Sequence, residues 1–136
     1  MKAIFRPLPV PDRSSLGLFL LRLLAGVAMM IHGWSKIQSP FDWMGPDAVV
    51  PGFLQALAAL AEFGGGLAWV LGLVMPLASF GIAVTMAVAV YFHAVVKGDP
   101  FVGPSSYELA SLYFVVALLF HLTGPGRYSA DQKIFR

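Results

Sequence analysis

Apolar residues fall in four long blocks separated by short stretches rich in proline, glycine and charge, and this layout predicts the fold. The first block, "LGLFLLRLLAGVAMMIHGW" at 16–34, is about 28 Å long as a helix, close to the ~30 Å hydrocarbon core of a bilayer. Residues 1–15, "MKAIFRPLPVPDRSS", hold three prolines and three basic residues and are expected to form an extended arm outside any core. A cleaved signal peptide would have an apolar region of about 7 to 15 residues and then a small-residue cleavage site. "HGWSKIQSP" offers no such site, so the block is predicted to stay as a transmembrane helix.

A second span is predicted over 53–74, after a connection with three prolines in which Phe41 and Trp43 suit the headgroup region. Met75-Pro76 interrupts the pattern, because proline has no N–H and clashes with the preceding turn. The third span then covers 77–96, and "KGDPFVGPSS" leads to a fourth over 107–123. Gly124-Pro125-Gly126 ends it, and in the tail, 127–136, Ser129 and Gln132 have the spacing of a capping box, which predicts a short surface helix. The expected fold is an all-α membrane protein, an antiparallel bundle of four transmembrane helices forming one domain over 16–126.

Composition agrees with a lipid-facing chain. It is 58% hydrophobic and 12% charged, against about 25% charged for a soluble domain. No run of basic residues interleaved with aromatics tracks a phosphate backbone, so nucleic acid is not an expected partner. The chain has no cysteine, which removes disulfides, thiol relays and cysteine-ligated metal. Lys2, Arg6 and Arg13 precede the first span and Arg127, Lys133 and Arg136 follow the last, whereas the two long loops hold only Lys36 and Lys97 as basic residues. The positive-inside rule therefore places both termini in the cytoplasm of a multi-pass cell (inner) membrane protein.

Ionisable residues within the spans are the candidate chemistry, since a charge at a helix centre costs about 2.5 to 3.5 kcal/mol on insertion scales. Counting from the span ends brings Arg22 and Glu62 to similar depths, and they are expected to pair. The pair serves either as a structural tie or as the lining of a ligand-binding or proton-relaying cavity. Gly64, Gly65 and Gly66 follow the acid and are expected to let the neighbouring helix close in. His32 and Lys36, and again His93 and Lys97, share a spacing of four at the outer ends of the first and third spans. With Glu108, His32, Lys36 and His93 form a candidate outer polar cluster. Metal or haem ligation is not expected: His121 is placed at the opposite end, and the histidines read as hydrogen-bonded groups. Glu108 also lies three residues after Ser105, so it reads as the acid of a capping box. No triad, phosphate loop or paired-carboxylate arrangement is present, and direct catalysis by this chain alone is not expected.

The arginine of the first span with "HGWSK" after it, "AEFGGGLAWVLGL" in the second and "GPGRYSADQKI" after the fourth together resemble the DoxX family of small four-helix membrane proteins. The resemblance implies a membrane subunit of a redox complex, quinone-linked or detoxifying, with a quinone pocket expected near Arg22, Glu62 and Trp69. Two alternatives stand beside it. One is a non-catalytic assembly or anchoring partner for membrane or redox proteins, or for a second copy of the chain. The other is a small-solute or proton carrier using His32, Glu62 and Arg22 as a ladder across the bilayer.

Overall fold

The computed structural model describes residues 9–135, whose regular elements are all helices. Helix α1 is Asp12–Gln38, α2 is Gly52–Leu71 and α3 is Met75–Tyr91, continued by a π-helical turn at Phe92–Lys97. Helix α4 is Glu108–Thr123 and a one-turn α5 is Ala130–Ile134. Three segments, of 27, 20 and 23 residues, are long and apolar enough to cross a membrane, and α4 adds a shorter apolar helix of 16. Leucine, valine and phenylalanine side chains such as Leu24, Leu60, Phe80 and Leu122 are exposed along all four helices. This is the surface of a chain whose helices contact lipid.

The first helix starts inside the segment expected as an extended arm. Pro11 precedes it, and Asp12 supplies an acid in its first turn, where an acid complements the helix dipole. Ser15 is consequently buried rather than part of a solvated arm; residues 1–8 lie outside the described residues. At the other break, α2 ends in a Schellman turn: Gly72 is left-handed at φ 64°, its N–H donates to Trp69 O, and the Leu73 N–H donates to Ala68 O. Pro76 does not delay α3. It occupies the helix's first turn, where the missing N–H would have had no intrahelical acceptor, so α3 begins at Met75.

Small residues set the register of α1 on α2. A Cβ on Gly26 would lie 2.7 Å from Gly66 O, and one on Gly33 would lie 2.6 Å from Phe63 N. Numbers rise on one helix as they fall on the other. Of the three consecutive glycines, only Gly66 packs on α1. Gly65 faces Ile82 of α3 at 3.0 Å, and Gly64 meets only Leu60 of its own helix, because successive helical residues point about 100° apart. The core is Ala25, Met29, Trp69, Met75, Ile82, Ala83, Met86, Ala117 and Phe120, with the Trp69 and Phe120 rings edge to face at 4.9 Å. Helix α1 packs closely on α2, α2 on α3 and α3 on α4, whereas α1 and α4 share no extended backbone interface.

Candidate functional site

Two polar sites lie within the helical part of the molecule, one toward each end. Toward the end that carries the two long loops, Lys36 Nζ donates to both oxygens of Glu62, at 2.6 and 2.7 Å. The Glu62 side chain is 4% exposed and that of Lys36 is 25% exposed, so the ammonium covers the carboxylate. Lys36 Nζ also sits 4.5 Å from the centre of the Trp43 ring, a favourable place for a cation over an aromatic face. The ring is fixed in turn, because Trp43 Nε1 donates to Gln55 O. Gln55, itself buried, accepts from Met44 N and donates to Val50 O, which ties the loop over the start of α2. Gly33 makes the ion pair possible: it lies one turn before Lys36 and lets α1 approach Glu62 to backbone distance.

At the tail end, Arg22 is fully buried and donates to Pro125 O at 3.0 Å and Tyr128 O at 2.6 Å. Its guanidinium passes so close to Gly72 that a Cβ there would overlap Nη1. Asp131, also fully buried, accepts from the Val74 and Met75 N–H groups at 2.7 and 2.9 Å. It thereby caps α3 from a distant part of the chain, satisfying amides that a helix start leaves without partners. The cap sits where Val74 adopts the left-handed φ of 45°, which is unfavourable for a β-branched residue. Ser129 caps α5 through Gln132 N, and its hydroxyl donates to Gly126 O. Arg127 pairs with Asp12 across the tail and α1.

The expected Arg22–Glu62 pair is therefore replaced by two separate sites. Arg22 is level with Gly72, whereas Glu62 is level with Gly33, eleven residues along α1 or about 16 Å. Depths counted from block ends did not fix the register; the glycines do. Gly26 and Gly33 are seven apart on α1, and matched to Gly66 they were the signal that could have placed Glu62 beside Lys36. Trp69 is fully buried, with its indole N–H on Ser79 Oγ at 3.0 Å, so it does not join Arg22 and Glu62 in a common pocket. The ladder of His32, Glu62 and Arg22 is likewise not continuous.

The outer cluster separates into local contacts. His93 Nδ1 is 2.6 Å from Asp99 Oδ2, and the Asp99 N–H donates to His93 O, closing the π-turn. That hydrogen bond from His93 holds the Asp99 carboxyl below the ordinary carboxylate range. His32 is exposed and meets Tyr113 edge-on at 6.0 Å between ring centres. Lys36 belongs to Glu62. Glu108 opens α4 as a first-turn acid, but Tyr107 precedes it as the cap residue and no side chain caps the helix, so the Ser105 capping box does not form. His121 contacts Pro76 O at 3.1 Å, toward the tail end.

Comparisons with known proteins find one family model and relatives matched over most of their length. The family model described as DoxX matches residues 17–94. An uncharacterized protein of Haemophilus influenzae is 31% identical over 122 residues, covering 88% of this chain and 91% of that protein. The inner membrane protein YqjF of Escherichia coli is 33% identical over 135 residues, covering 89% of this chain and 94% of that protein. No solved structure matches the chain. The matched segment includes Arg22, Gly33, Lys36 and Glu62 but not the tail that holds Arg22 and caps α3.

Proposed function

The chain belongs to the DoxX family of membrane proteins, and on that premise we propose that it is a non-catalytic membrane partner that anchors or assembles a redox or detoxifying enzyme at the inner membrane. It crosses the bilayer four times as an antiparallel bundle, with both termini cytoplasmic. The observation that carries this is the commitment of the intramembrane charges. Glu62 is taken by Lys36 in a two-oxygen contact, and Arg22 is taken by two tail carbonyls. Each charge holds two segments of the chain together, which is the structural use of an intramembrane ionisable group.

The experiment is crosslinking in native membranes followed by purification of the full chain and identification of what is bound. A defined complex with a redox or detoxifying enzyme supports the proposal. A chain recovered only with lipid or with copies of itself would refute it.

A further inference from the structure

The tail does more than hold Arg22 and cap α3, because its outer side chains and the start of α1 line an open cavity of about 680 Å³, formed by Asp12, Arg127, Tyr128, Gln132 and Lys133. Its walls are fixed from behind. The Arg127 N–H donates to Ser15 Oγ, the Tyr128 carbonyl accepts from Arg22, and the Gln132 N–H donates to Ser129 Oγ. The groups that face outward are left over. Lys133 has no partner among the described residues, and the Tyr128 hydroxyl and Gln132 side-chain amide make no hydrogen bond among them. Arg127 gives one nitrogen to Asp12, but the two side chains are 55% and 71% exposed, and an exposed pair of this kind is weak. The guanidinium keeps further N–H groups to donate. Two cations, a phenol and an amide against one carboxylate make a donor-rich cavity of net positive charge.

We propose that this cavity holds the phosphate headgroup of an anionic phospholipid in the tail-side leaflet, with Lys133 and Arg127 on the phosphate oxygens and Tyr128 and Gln132 donating to the same group. Depth selects a lipid over a soluble anion. Asp12 stands four residues before Leu16, where the apolar block begins, about 6 Å beyond the hydrocarbon edge and so at headgroup level. Leu16 and Leu20 continue the stripe of Asp12 along α1 at a spacing of four and are 51% and 57% exposed, which lays an apolar track for an acyl chain directly below the cavity. The Tyr128 ring leans on Phe19 of the same helix at 5.9 Å between centres, joining the polar and apolar parts in one surface. Basic side chains at this level are drawn to anionic headgroups.

The test titrates the full-length protein in a neutral detergent, where no charged bilayer contributes, with dioctanoyl phosphatidylglycerol, dioctanoyl phosphatidylcholine and inorganic phosphate. Bound lipid is read by native mass spectrometry, and the thermal midpoint beside it. Saturable binding of phosphatidylglycerol with a raised midpoint is expected, tighter than that of phosphatidylcholine and absent for inorganic phosphate at the same concentration. Lys133→Ala should weaken phosphatidylglycerol binding about fivefold, as for loss of one basic residue at an anionic lipid surface. Arg13→Ala removes an exposed basic residue of the same end that does not line the cavity, and should leave the affinity unchanged. Equal binding of phosphatidylcholine, inorganic phosphate binding as tightly as the lipid, unaltered affinity in Lys133→Ala, or an equal loss in Arg13→Ala would each overturn the assignment. The comparison of the two lipids needs no variant and decides the matter even where a substitution impairs folding.

Discussion

Glu62 shows how one residue in an apolar helix is made tolerable. Its carboxylate accepts twice from Lys36 and is covered by that side chain. Removing one member of a buried pair leaves an uncompensated charge and costs about 3 to 5 kcal/mol, whereas replacing both by apolar groups is often neutral. Lys36→Met should therefore lower the thermal midpoint of the detergent-solubilised protein, and Lys36→Met with Glu62→Met should restore most of it. A double variant as unstable as the single would show that the two groups are not coupled. Asp131 invites a second test of the same kind. Its two oxygens accept from two backbone amides, and asparagine has only one acceptor oxygen to offer. Asp131→Asn should lose about 1 to 2 kcal/mol, in the range of a helix cap, read as a lowered midpoint; an unchanged midpoint would mean that the cap does not hold the tail.

Between elements, glycines decide distance. Gly33→Ala places a Cβ 2.6 Å from the Phe63 backbone and should separate α1 from α2, loosening the Lys36–Glu62 contact with it. Gly64→Ala meets only the flexible end of Leu60, and Gly17→Ala meets nothing within 4 Å. The first should destabilise, while the other two should be neutral or gain up to about 1 kcal/mol of helix propensity; thermal unfolding of the three side by side checks the order. The loop after α3 has its own signature. Because His93 holds the Asp99 carboxyl below its ordinary value, this contact stabilises the fold above the unfolded carboxylate pKa, about 3.9, and is lost as pH falls through the lower folded value. A carbon-13 titration of the Asp99 carboxyl should find a midpoint below the ordinary one, rising toward it in His93→Ala. Equal midpoints in both proteins would contradict the contact. Element by element, the four apolar blocks and the Ser129 turn could be seen in the sequence, since hydrophobic run length and capping spacing are local. The pairing of Glu62 with Lys36 rather than Arg22 could not be read from depth alone. It depends on which glycines meet across α1 and α2, a relation between distant segments. The tail's role was hidden for the same reason, as Pro125, Tyr128 and Asp131 act on Arg22 and α3 only once the chain has folded back.

For the whole molecule, two polar ties close the structure from opposite ends. Lys36–Glu62 joins α1 to α2 toward the loops, and the tail joins α1 to the α2–α3 turn through Arg22 and Asp131. The absence of cysteine from the sequence makes the proposed topology directly testable with introduced ones. Ala48→Cys and Val102→Cys should react with an impermeant maleimide applied to the periplasmic face, and Lys133→Cys only after the membrane is permeabilised. Labelling of all three from one side would refute four crossings with cytoplasmic termini. In the proposed function the intramembrane charges build a scaffold and the work of the protein lies in the partner it holds. Native-membrane crosslinking of the Lys36→Met, Glu62→Met double variant beside the unaltered chain separates frame from function. Recovery of the same redox or detoxifying enzyme complex by both is the predicted result. A folded double variant that no longer recovers the complex would contradict the account, because the ion pair would then be part of the function and not only of the frame.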